Sequence, residues 1–114
     1  MARKLDNYLK THRKRSGLHQ HEVAYLLGTK DGTRVGRYEL SIREPTVRTV
    51  FALEVIFNVP AKELFAGIYG KVETQTRKRA AKLFERVGAR HQDKAVAHKL
   101  ASLRVICNKS HKES

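Results

Sequence analysis

Apolar residues in this chain return at steps of three and four from one end to the other, and nowhere do they alternate over a run long enough to face a sheet. That periodicity restricts the chain to helices packed on helices, so an all-α protein is expected. Glycines, prolines and short polar residues divide the pattern into segments. Leu5, Tyr8, Leu9 and His12 share one face of a first helix predicted over Lys4 to Ser16 and stopped at Gly17. A second is predicted over Gln20 to Leu27, with Val23, Ala24 and Leu27 inward and Gly28 closing it. In the turn TKDG, Asp31 or Thr33 is a suitable cap for a third, placed at about Thr33 to Leu40 with Val35 and Tyr38 inward.

Pro45 cannot continue that helix, and Thr46 is a natural cap for the next. There Val47, Val50, Phe51, Leu53, Glu54 and Phe57 fall at near-helical spacing, which places Phe51 and Phe57 in the core. Pro60 opens a short fifth helix, PAKELFAGIY, whose Leu64, Phe65 and Ile68 close the core from below. A compact unit is expected over residues 1–70 and a helical extension over 71–108. In the extension, Val72, Thr76, Ala80, Leu83, Phe84 and Val87 draw one apolar stripe that Gly88 ends. Asp93 can cap a further helix with Val96, Leu100, Leu103 and Cys107 at the same spacing, so the extension is predicted to be a hairpin. Residues 109–114 carry no such pattern and are expected to form a flexible tail.

Size and charge narrow the partners. A chain of 114 residues holds one small core with an appendage. Its 24 Lys and Arg stand against 11 acidic residues, a net charge of +13 that favours a polyanion. Residues 1–70 carry 12 basic and 7 acidic side chains, residues 71–114 carry 12 and 4, so the extension is the more basic part. One cysteine, Cys107, permits no intrachain disulfide, and no leader opens the chain, which fits a reducing cytoplasm. The most apolar segment, VRTVFALEVIFNV, is broken by Arg48 and Glu54 and is too short for a bilayer of roughly 30 Å, so no membrane association is expected.

Arg13, Gly17-Leu18, Gln20, Val23-Ala24, Leu27-Gly28, Val35, Tyr38-Glu39, Pro45 and Leu53 form an ordered set. Small Ala24 lets two helices approach, Gly28 makes the turn, and Val35 locks the later helix on the earlier one. With these residues the chain resembles the Xre-type family of phage-repressor-like helix-turn-helix regulators, over about Leu5 to Tyr69. The resemblance implies a five-helix lambda-repressor-like domain in which residues 33–40 form the recognition helix, lying in the major groove of double-stranded DNA. It also implies that TKDGT carries one residue more than the usual turn, slack that Asp31-Gly32 is expected to absorb through backbone angles open to glycine.

Within that helix Thr33, Arg34 and Arg37 can leave the core and reach bases, Arg37 being the strongest candidate because arginine offers two donors to guanine O6 and N7. The family likeness makes Gln20 a phosphate ligand, and Lys30, Arg43, Thr46 and Arg48 are further phosphate candidates, with Arg3 and Lys4 as an arm. It makes Arg13 and Glu39 a structural ion pair. His19 stands where relatives have a Ser, Thr or Asn cap, so a weaker cap is expected there.

His19 with His21, and His91 with His98, lack the cysteine or carboxylate partners of a metal site, and Cys107 lacks an activating neighbour. No nucleophile is paired with a base, so neither metal, cofactor nor enzymatic activity is expected. The resulting expectation is a bacterial or phage DNA-binding transcriptional repressor, cytoplasmic and nucleoid-associated, acting as a homodimer. Leu83, Phe84, Val87, Leu100 and Leu103 are the candidate dimerisation residues. Two alternatives stay open: an antitoxin or adaptor that binds a protein partner through the basic tail helices, and RNA binding, for which the tail lacks aromatic stacking residues.

Overall fold

In a computed structural model, which describes residues 5–90 and 93–108, the chain is all-helical, with no strand among the described residues. The helices are α1 (Leu9–Ser16), α2 (Gln20–Leu27), α3 (Thr33–Glu39), α4 (Val47–Phe57), α5 (Ala61–Leu64), α6 (Ala66–Gly88) and α7 (Lys94–Asn108). Two compact units result, Met1–Gly70 and Lys71–Ser114.

The first unit is built around Leu9, Val23, Ala24, Val35, Tyr38, Leu53, Leu64 and Phe65, all buried. Ala24 lets α2 sit closely among its neighbours, and Leu53 brings one buried leucine of α4, which packs on α1 and α2, into the same cluster. Thr46 caps α4 by accepting from the Thr49 amide at 3.3 Å. Asn58 ends the helix at φ +55, a left-handed angle that asparagine tolerates better than most residues.

Three expectations fail here, each for a physical reason. The first helix starts at Leu9, not Lys4, because the preceding backbone finds partners elsewhere: Tyr8 N donates to the Leu64 carbonyl at 2.7 Å, and Ile68 N donates to the Asp6 carbonyl at 3.1 Å. Leu5 is therefore 54% exposed rather than inward, and its carbonyl lies so near Gly67 that a Cβ there would meet it at 1.9 Å. Phe51 is 60% exposed, and with Val47 and Val55 it forms the outer face of α4, while Val50, Leu53, Ile56 and Phe57 face the core. The segment read as one helix from Pro60 is two, since Phe65 leaves helical geometry at φ −116, ψ 43 and buries its ring, after which α6 runs through Gly70 without stopping. Gly70 costs that helix about 1 kcal/mol relative to alanine and does not end it.

In the second unit Ala80 and Val87 of α6 pack on Val96 and Leu103 of α7, with Phe84, Leu100 and Cys107 around them. Asp93 caps α7 by accepting from Val96 N at 2.9 Å. Thr76, expected on the inward stripe, is exposed. Arg77 takes the inner position instead, paired with Glu73 and hydrogen-bonded to the Ile106 carbonyl. No described helix is long and apolar enough to cross a membrane.

Candidate nucleic-acid interface

α2 and α3 are joined by a turn that starts at Gly28, whose φ of +81 is the left-handed conformation that favours glycine. Thr29 N then closes back on the Ala24 carbonyl at 2.9 Å. Four residues later α3 begins at Thr33, whose amide donates to Asp31 Oδ1 at 2.9 Å. Gly32 does not take the unusual backbone angle expected of it: its φ of −79 and ψ of −3 are open to any residue. Glycine is needed there for space, because a Cβ would sit 2.9 Å from Gln20 Cβ and 3.1 Å from the backbone of Gln20 and His21. The start of α3 thus lies directly on the start of α2. Gly32→Ala should push the two apart and cost roughly 1–3 kcal/mol, the range for an overpacked contact. Thermal unfolding measures that cost, and an unchanged midpoint would show that the contact yields freely.

α3 is held along its buried edge and at its last turn. Val35 and Tyr38 are buried at 3% and 4%, and Glu39 is held by Arg13, Nε to Oε2 at 2.5 Å and Nη2 to Oε1 at 3.3 Å. The third donor of that guanidinium, Nη1, reaches the Leu18 carbonyl at 3.2 Å. Gln20 is part of the same cluster: its Nε2 donates to Glu39 Oε1 at 3.1 Å and packs against Gly36. The side chain read as a phosphate ligand is thereby committed, half-buried, to an internal hydrogen bond.

Thr33, Arg34 and Arg37 all lie on the exposed face of α3. Neither arginine makes an ion pair, and Lys30, Arg43 and Arg48 are likewise exposed and unpaired, so these cations keep their charge for a ligand. Thr46 is different, its hydroxyl being used to cap α4 and to contact Thr49 Oγ1 at 3.2 Å. Arg3 and Lys4 lie outside the described residues.

The helix-turn-helix fold agrees with the comparison to known families, in which residues 9–64 match the model described as Helix-turn-helix. The chain carries an Xre-type helix-turn-helix domain. Such domains are DNA-binding regulatory modules, and the chain is a DNA-binding transcription regulator in that general sense. No curated protein and no solved structure matches it.

Two features of this helix-turn-helix were missed in the sequence. Lys10 and Lys14, one turn apart on α1, line an open cleft of about 720 Å³ together with His21 and Thr33, which adds cations beside the start of α3. Their i, i+4 spacing in LKTHRK carried the signal. Asn7, 8% exposed, donates through Nδ2 to the Tyr38 carbonyl at 3.0 Å and to Ser41 Oγ at 3.1 Å, and accepts from Leu9 N at 3.0 Å. No local pattern marks such a residue, because its partners are 31 and 34 positions away.

The cap of α2 is supplied from within: Glu22 Oε1 accepts from His19 N at 2.8 Å. The His19 and His21 rings stack, with centroids 5.6 Å apart and planes within 7°. Among the described residues no group of three or more histidine, cysteine or acidic side chains gathers to hold a metal. His91 lies outside them.

Proposed function

We propose that this chain is a repressor that binds a specific double-stranded DNA site as a homodimer, with α3 in the major groove. The observation that carries the reading is the division of α3 into a buried edge, Val35 and Tyr38, and an exposed edge, Thr33, Arg34 and Arg37, whose arginines are unpaired. The buried edge fixes the helix, and the exposed edge is free to read bases, Arg37 through two donors to a guanine. Lys30, Arg43 and Arg48, joined by Lys10 and Lys14, supply phosphate contacts that set register without reading sequence. Gln20 acts indirectly, by holding Glu39 and the start of α3. The protein works by binding rather than by catalysis, in the compartment that holds its DNA.

A short α3 reads few base pairs, so two copies on a palindrome are needed for specificity. Of the tail residues, Val87 and Leu103 are buried within their own hairpin and Phe84 and Leu100 pack half-buried against it, which leaves Leu83, 43% exposed, as the most open of the expected five. The outer face of α4 takes their place: Val47, Phe51 and Val55 lie at i, i+4 and i+8, 60–80% exposed, an apolar patch of the kind that marks association.

Selection of bound sites from random duplex DNA near physiological salt tests the reading. An enriched palindrome is the expected result, and salt-sensitive binding with no enriched site would overturn it. Light scattering on Phe51→Asp should give a monomer that recovers only half-site affinity, whereas an unchanged dimer mass would move the interface elsewhere.

A further inference from the structure

The hairpin of the second unit has two unlike flanks. On one, Arg104 lies over the Phe84 ring, 5.5 Å from its centroid, and covers the seam between the helices. On the other the seam is open: a groove of about 410 Å³ is floored by Leu83, Val87 and Leu103 and bordered by Arg90, His98, Lys99 and Ser102. Two helices that share a single apolar stripe leave such a groove wherever no side chain folds over it, and a third helix is the element that fits it by shape.

Charge selects the occupant. Residues 71–114 carry 12 basic and 4 acidic side chains. Of the three acidic ones described, Glu73 is paired with Arg77, Asp93 is used to cap α7, and Glu85 does not line the groove. The rim is therefore cationic and the floor apolar. A second copy of the hairpin would bring like charge against like, and a phosphate backbone would leave Leu83 unmatched. We propose that this groove docks an acidic amphipathic helix of a protein partner, with apolar residues on the Leu83–Val87–Leu103 floor and carboxylates beside Lys99. The site is independent of the DNA reading assigned to the first unit, and its test uses no operator.

The experiment is selection from a displayed library of helix-forming peptides on the full-length chain. Enriched peptides should share apolar residues at i, i+3 or i+4 and i+7 with Asp or Glu beside them. Ser102→Arg, which fills the groove, and Leu83→Lys, which charges its floor, should each weaken the best peptide at least tenfold. Both positions are exposed, so the helical signal in circular dichroism should match the parent chain. Enriched peptides without acidic residues would overturn the proposal, as would binding that survives both substitutions. So would displacement of the peptide by random-sequence duplex DNA, which would give the groove to nucleic acid, or a dimeric parent chain that Leu83→Lys makes monomeric, which would give it to a second copy.

Discussion

Replacing Glu39 with alanine is expected to destabilise the first unit by about 3–5 kcal/mol, the range for removing one partner of a buried ion pair. The side chains of Arg13 and Glu39 are only 11% and 4% exposed, so water cannot take over the lost contacts. Without the carboxylate, two nitrogens of a buried guanidinium and the amide of Gln20 lose their acceptor together. For a domain of this size the melting temperature should fall by more than about 10 °C. Denaturant unfolding of the variant checks it, provided the slope with denaturant is unchanged. A loss below about 1 kcal/mol would place the pair with solvated surface bridges and remove Glu39 as an anchor of α3. Exchanging Arg13 for Met and Glu39 for Leu at once should recover much of the loss, because the cost lies in the orphaned charge more than in the bond.

Arg37→Ala should do the opposite: keep stability and lose recognition. Its side chain is exposed and unpaired, so the melting temperature should hardly move. On DNA, each half-site of a dimer loses a contact worth about 1–3 kcal/mol of base discrimination, so affinity for the selected palindrome should drop at least tenfold. Affinity for random duplex should stay within a few-fold, and the preference at one symmetric position should relax. Arg43→Ala gives the contrast, weakening all sequences alike and lowering the salt slope by about 1. Equal losses on specific and random DNA in Arg37→Ala would make Arg37 a phosphate contact and leave Thr33 and Arg34 as the readers.

The parts of the fold legible in the sequence are those governed by neighbours. Gly28, Ala24, Val35 and Tyr38 act within a few residues of one another, and short-range rules placed α2, its turn and α3 within a residue of where they lie. Long-range backbone pairing is invisible to such rules, which is why the apolar spacing predicts a helix over Asp6 to Tyr8 although Leu64 and Ile68 hold that backbone elsewhere. On α4 apolar residues occur around most of the helix, so periodicity could not tell Phe51 from Ile56. The tail shows the same limit in another form: spacing predicts the hairpin, but not which stripe residues its helices bury, as they do Val87 and Leu103, and which they leave exposed, as they do Val72 and Leu83. In the candidate site, the exposed edge of α3 followed from its buried edge, whereas the diversion of Gln20 to Glu39 depended on the distance between two helix starts. That distance is set at Gly32, by contact and not by torsion.

Asn7, Arg13 and Gln20 all grip α3 at or beside its last turn, through Tyr38 and Glu39. A helix clamped at its far end does not take its heading from the loop that leads into it. The residues between Gly28 and Gly32 are then slack in a tether, and a change in their number should leave the exposed edge of α3 facing the same way.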